Sequence, residues 1–164
     1  MIYEVEGDIL YTQAQVLAHG VAANDPMDRG LALALHTHFP AMHKDFHHWC
    51  HQQHRKPGEI WLWKQTNGVS LVNMLTQEGG YGHGARPGKA TLSNVNHALR
   101  ALKKMAEKEK FSSLAVPAIA TGVGGLDWSE VKPLINSQLG ELEIPIYVYS
   151  NYLSGQKAQE IIPI

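Results

Sequence analysis

The sequence predicts a three-layer α/β domain in which a parallel or mixed sheet is packed between helices. Three observations predict it. Short apolar runs alternate along the chain with stretches of helical periodicity. The runs LVNML, LAVPAI and IPIYVY lack the polar–apolar alternation of a half-solvated strand, so they suit strands covered on both faces. At 164 residues and 44% hydrophobic, the chain is of one-domain length and can bury its own core.

The elements follow in order. Residues 2–6 and 16–19 read as strands, and residues 31–39 as the first helix. Met42, Phe46 and Trp49 form the apolar stripe of a second helix. Residues 59–64 and 69–75 are the next strands. Leu92, Val95, Leu99, Leu102 and Met105 recur at i, i+3, i+7 spacing and mark a helix over 90–108, with Lys103, Lys104, Glu107 and Lys108 on its solvated face. Residues 113–118 and 144–149 complete the strands. Pro117 and Pro145 are expected at strand ends or edges, because proline cannot donate to a ladder. A last helix starts near Trp128, with Asp127 as N-cap, Glu130 as its capping-box partner and Pro133 inside. The domain is expected over 1–152, and 153–164, with its SGQKAQE stretch, reads as a loosely held C-terminal tail.

Composition excludes several function classes. Fourteen Lys and Arg against fifteen Asp and Glu leave a net charge of −1. That argues against duplex binding through many phosphate contacts, although a local basic patch stays open. The single cysteine, Cys50, excludes an intrachain disulfide framework and a multi-cysteine zinc site. No apolar run is long enough to span a bilayer, and MIYEVEGDIL lacks the basic start and apolar stretch of a signal peptide. A cytoplasmic monomer without metal or redox cofactor is the expectation.

Four segments could carry chemistry. The first runs from a strand into Thr121, Gly122, Val123, Gly124, Gly125 and Leu126, and then into the helix at Trp128. Glycines let the backbone approach an anion, and a helix start offers unpaired N–H groups. The segment is neither a Walker loop nor a GxGxxG fingerprint, and a mere tight turn is the bland alternative. The second is Asp8–Ile9 after the first strand, where the carboxylate could accept from an adenine amino group or a ribose hydroxyl, or simply cap a turn. The third is the polar stretch from His19 through Asn24, Asp25, Asp28 and Arg29 to Gly30, in which either aspartate could cap the helix. The fourth is the five-glycine loop after LVNML, which carries Gln77, Tyr81, His83 and Arg86. Such a loop closes over a ligand or merely connects.

Seven of the ten histidines fall between His36 and His54. His43, His47, His51 and His54 share one helical stripe. With no acidic ligand and no HExxH pattern beside them, the reading is a solvated stripe rather than a metal site. Cys50 lies near the apolar side of the same helix and lacks a helix start or glycine turn to activate it.

Taken in order, VEGDIL, VLAHGVAANDPMDRGLALAL, LVNMLTQ, LAVPAIATGVGGLDW and IYVYS resemble a macrodomain over residues 2–150. The resemblance is to the branch that includes the terminal ADP-ribose protein glycohydrolase and the DNA-ADP-ribose-removing antitoxins. It implies an α/β/α fold with a mixed sheet of about six strands and a cleft for ADP-ribose. It implies that Asp8 meets the adenine amino group with Ile9 beside the ring, and that Tyr149 stacks on adenine. It places the distal ribose against the loop from Asn24 to Gly30, and the diphosphate on the backbone from Thr121 to Leu126. The chain also departs from that branch. The lysine that follows the LVNML-type strand in hydrolytic relatives is replaced here, and Gln77 is the natural substitute. The partner aspartate falls on Gly124, and an asparagine-glycine-glycine run is replaced by NDPMDRG.

The expected activity is hydrolysis of the distal-ribose linkage of a mono-ADP-ribosylated acidic side chain or nucleobase. Gln77 would orient water, with Asp28 or His83 as base. The partners are then ADP-ribose or an ADP-ribosylated protein, nucleic acid or metabolite. The alternatives are a non-catalytic ADP-ribose reader, an ADP-ribose 1″-phosphate phosphatase, or an O-acetyl-ADP-ribose deacetylase.

Overall fold

The computed structural model describes residues 1–79, 81 and 84–160. Its six strands are β1 (Ile2–Gly7), β2 (Val16–Ala22), β3 (Ile60–Trp63), β4 (Ser70–Gln77), β5 (Leu114–Pro117) and β6 (Ile146–Tyr152). The helices are α1 (Gly30–His38), α2 (Pro40–Gln52), α3 (Leu92–Glu109) and α4 (Trp128–Leu139). The sheet order is β1-β6-β5-β2-β4-β3, parallel except for the antiparallel β3–β4 pair. The mixed sheet and all six strands are those the sequence predicts. Among the described residues no helix is long and apolar enough to cross a membrane.

Side chains alternate between two cores. On one face Val16, Ala18, Val72 and Met74 pack with Val95, Leu99 and Leu102 of α3 and with Val131 and Ile135 of α4. On the other, Leu17, Val21, Leu71 and Leu75 pack with Leu35 of α1 and with Met42, Phe46 and Cys50 of α2. Every residue of β4 is buried, as a strand roofed on both faces must be. β2, β4 and β6 run two or three residues past their predicted ends. Parallel pairing carries them there: His19, Gly20 and Val21 of β2 stay in register with Asn73, Met74 and Leu75 of β4, and after a one-residue shift Ala22 meets Gln77, although the segment itself is not uniformly apolar.

Helix starts depart from the predicted caps. Thr91 caps α3, accepting from the Asn94 N–H at 3.0 Å. Asp127 occupies the N-cap position of α4, but its side chain makes no capping bond. Arg29 precedes α1 and also makes none. Asp25 instead turns inward to cap its own loop, and Asp28 pairs with an arginine across the cleft described below.

The tail is also held more firmly than its composition suggests. The Leu153 N–H donates to the Gly7 carbonyl at 3.0 Å, the Asp8 N–H donates to the Gln156 carbonyl at 2.6 Å, and Ala158 is buried. Glu160 accepts from the Thr12 hydroxyl, the Gln13 N–H and the Tyr149 hydroxyl. Gly7 permits this docking. Its φ is +154°, and a Cβ there would stand 2.8 Å from the Ala158 nitrogen and 2.9 Å from the Ala158 Cβ. Gly7→Ala should therefore lift residues 153–160 off the sheet at a cost of roughly 1–3 kcal/mol. Faster amide exchange at Leu153 and Gln156, with a lower urea midpoint, is the expected result. Unchanged protection would show that the tail does not depend on this contact.

Candidate functional site

The site arises where the sheet divides. β2 pairs with β4 along its whole length but with β5 only at Val16–Leu114 and Leu17–Ala115. β5 stays with β6 as far as Pro117–Tyr149. Beyond Leu17 the two central strands part, and Pro117 ends β5 with no N–H to offer. The chain leaves β2 toward β4 and leaves β5 toward β6, so the gap is a topological switch point, where open α/β sheets bind ligands. A cleft of about 470 Å³ opens there.

Its walls contain much of what the sequence singles out. His19 and Gly20 come from β2, Asp25, Asp28, Arg29 and Gly30 from the following loop, Gln77 from the end of β4, Arg86 from the loop beyond, and Gly122, Val123 and Gly124 from the glycine-rich turn. Gly125 and Leu126 spend their amides inside that turn, on the carbonyls of Gly122 and Ala120. Among the described residues, the amides of Gly122, Val123 and Gly124 have no acceptor, and they stand at the cleft wall. Thr121 bonds back to the Ala118 carbonyl at 2.7 Å. Thr121, Gly125 and Leu126 thus shape the turn rather than line the cleft.

His19 and Asn73 are register partners on the face that packs against α2. Asn73 donates its amide to the Met42 sulfur at 3.5 Å, so its Oδ1 is left to accept from His19 Nε2 at 2.7 Å. Burial pushes the His19 imidazole down to about pKa 4, with the Asn73 bond and the charge on Asp25 opposing. His19 is therefore neutral at physiological pH. Asp25 is buried, and its carboxylate accepts from the Ala22 N–H at 3.0 Å and the Met27 N–H at 2.8 Å. Asp28 and Arg86 form an exposed ion pair at 3.3 Å. Gln77 donates its side-chain amide to the Gly88 carbonyl at 2.9 Å, leaving Oε1 to act.

Other expected residues lie elsewhere. Asn24 turns its Oδ1 to His51 rather than to the cleft. Ile9 is core. Asp8 is buried and accepts from the Leu10 N–H at 3.0 Å and the Gly155 N–H at 2.9 Å, which is the turn-capping alternative. Tyr149, expected as an open stacking surface, is only 4% exposed and donates its hydroxyl to Glu160. Tyr152, which the sequence reading passes over, is 59% exposed, with its hydroxyl 3.5 Å from Asp8. A strand extending past the core brings it there, and the aromatic run IYVYSNY is the signal that could have found it. His83 lies outside the described residues. Only half of the histidine stripe is a solvated face: His51 and His54 are exposed. His43 and His47 are half-buried in a column of rings. Among the described residues no group of three His, Cys, Asp or Glu could hold a metal ion.

Burial of neutral His19 has a stability consequence. Between pH 6.5 and 4 the unfolded chain binds a proton at this position and the native state does not. Its contribution is present above the unfolded pKa and falls away as the pH drops through that window, by roughly 3 kcal/mol in all. His19→Gln keeps an N–H donor toward Asn73 without titrating. Urea unfolding of both proteins from pH 7 to 4 should show a shallower pH slope for the variant. Parallel slopes would remove His19 as the cause.

The chain is 31% identical over 169 residues to a DNA ADP-ribosyl transferase–DNA ADP-ribosyl glycohydrolase fusion protein of Thermosipho africanus, covering 88% of this chain and 40% of that protein. It is 25% identical to the human ADP-ribose glycohydrolase OARD1, with 89% of each chain covered. The solved structure of Thermosipho africanus DarTG in complex with ADP-ribose superposes with a TM-score of 0.80 at 26% identity, covering 99% of this chain and 43% of that one. The chain spans between 40% and 45% of the length of the bacterial relatives it matches. The Macro domain family model matches residues 19–135, from the first polar residue of the cleft through most of α4, and the chain belongs to that family.

Proposed function

We propose that the cleft binds ADP-ribose and hydrolyses the bond between its distal ribose and a mono-ADP-ribosylated acidic side chain or nucleobase. One observation carries this reading: a single cleft at the switch point holds the glycine-rich amides together with Asp28 and Gln77. The names of the relatives support it. OARD1, similar along nearly its whole length, is described as an ADP-ribose glycohydrolase.

In this reading the diphosphate rests on the amides of Gly122, Val123 and Gly124, which offer N–H groups without a charged side chain. The distal ribose lies against Gly30 and the loop before it. Gly30 has φ +55° and nothing within 4 Å of where a Cβ would stand, so the sugar can approach the backbone there. The adenine reaches the corner of Asp8 and Tyr152, where the exposed Tyr152 ring supplies the stacking face.

Cleavage follows the glycoside pattern. As the bond from the anomeric carbon to the target lengthens, its electron pair leaves with the target and the ribose becomes oxocarbenium-like. The diphosphate lies near that developing positive charge. Water adds at the anomeric carbon, held by Gln77 Oε1, and Asp28 accepts its proton. The residue that ends β4 is Gln77 rather than a lysine, so this reading routes no step through a covalent adduct at that position. Asp28 must first part from Arg86, and an exposed pair of this kind is worth only about 1 kcal/mol or less. A non-catalytic reader is the second reading, favoured by that same occupation of Asp28.

Incubation with glutamate-linked, base-linked and 1″-phosphate ADP-ribose, followed by chromatography of free ADP-ribose, tests the reading. Release is expected from the glutamate- or base-linked form. Asp28→Ala and Gln77→Ala should each slow turnover by about a hundredfold while ADP-ribose affinity stays within severalfold. Tyr152→Ala should instead weaken ADP-ribose binding by about tenfold, as loss of a stacked base does. Binding without release from any form would establish the reader, and release from the 1″-phosphate alone would establish a phosphatase.

A further inference from the structure

The histidines of α1 and α2 play no part in the chemistry above, yet they touch the loop that lines the cleft. That loop is conformationally costly. Asn24 and Met27 both adopt left-handed backbone angles, with φ of 56° and 52°. Asparagine tolerates such an angle, but Met27 holds one only where its surroundings impose it.

Three imidazoles contact this loop. His36 Nδ1 lies 3.2 Å from the Met27 carbonyl, His43 Nε2 lies 3.3 Å from the Asp25 carbonyl, and His51 Nε2 lies 3.0 Å from Asn24 Oδ1. Each partner is a carbonyl oxygen, so each ring must present an N–H at the stated nitrogen. One proton per ring satisfies all three bonds. The rings also form a column. His36 and His43 stack with centroids 3.8 Å apart, His47 follows at 4.6 Å from His43, and His51 at 6.1 Å from His47.

A second proton on these rings places like charges at stacking distance. Burial, together with the neighbouring imidazoles, lowers the pKa of His43 and His47 below the usual 6.5, against a raising effect from Asp25. Among the described residues, Asp25, Cys50 and Tyr81 also face the column. The Asp25 carboxylate is already taken by two backbone amides. The Cys50 sulfur accepts from the Asn24 N–H at 3.3 Å. The Tyr81 ring meets His51 edge-on and stacks on His54.

We propose that His36 and His43 are positioning residues: as a neutral stacked pair they hold the Met27 and Asp25 carbonyls, and with them the cleft loop, and a charge on both rings drives the 3.8 Å stack apart and so releases the loop, although each ring keeps its N–H donor. That the loop's ligand is ADP-ribose rests on the function proposed above. The loop's response to protons does not.

The test uses two readouts on the whole chain. Backbone amide shifts of Asn24 through Gly30 are followed in ligand-free protein from pH 7.5 to 5, beside the imidazole signals of His36 and His43. ADP-ribose affinity is measured over the same range for the natural protein and for His36→Asn/His43→Gln. Those replacements keep an N–H donor near Nδ1 and Nε2 but carry no titrating group. Loop amides are expected to move with the two imidazoles. The natural protein should lose about tenfold more affinity toward pH 5 than the variant, the equivalent of one pKa unit of coupling. His19 is common to both proteins and cancels. Loop amides that ignore the titration, or equal losses of affinity, overturn the proposal. If the loop titrates but ADP-ribose binds at no pH, the positioning role stands and the assignment of the cleft's ligand falls.

Discussion

The parting of β2 from β5 is the constraint on which the rest of this structure depends. A parallel sheet buried on both faces has every backbone group paired along its ladders. β2 meets that demand on its β4 side, and β5 meets it on its β6 side. Between them the ladder closes after two residue pairs. The C-terminal ends then diverge, and loops line the space they leave. The glycine-rich turn is one such loop. Gly124 sits so close to the Ala120 carbonyl, 2.7 Å from where a Cβ would stand, that a side chain there would spread the turn.

Polar groups near this gap are tolerated because each is matched. His19 and Asn73 share a register position, so their bond forms across adjacent strands without bending either chain. Asp25 lies buried yet receives two backbone amides, which is how a loop lining a cleft can carry a carboxylate inside the protein. Formal charge in the walls is modest: Asp25 and Asp28 face Arg29 and Arg86. In the reading proposed above, the anion is therefore held mainly by fixed backbone dipoles, which need no reorganisation when it arrives.

The parts of the site that were legible in the sequence are those whose demand is local. A glycine-rich turn after a buried strand announces its own geometry, and it sits where expected. Gly30 and Gln77 also fall in the cleft: Gly30 opens α1, and Gln77 ends β4 two residues beyond its predicted end. The residues whose polar groups bond within the protein share a different feature. Asp8 meets Gly155 across 147 positions, Tyr149 meets a glutamate of the tail, and Asn24 meets His51 across 27. No spacing rule reaches that far. Tyr152 was missed for the converse reason, since its exposure depends on where the neighbouring strand stops. Half of the histidine stripe is less solvated than its spacing suggests, because helical periodicity gives a face but not what covers it, and α1 and the cleft loop cover His43 and His47.

The sequence by itself determined the fold class, the six strands, the four helices and the glycine turn. These follow from apolar periodicity and backbone freedom, which act within a few residues. Only the tertiary structure decided which polar side chains reach the cleft and which are spent on the protein itself. A carboxylate, carboxamide or imidazole bonds to whatever donor or acceptor the folded chain brings within 3 Å or so. That partner is chosen by strand order and loop packing rather than by the residue's neighbours in sequence.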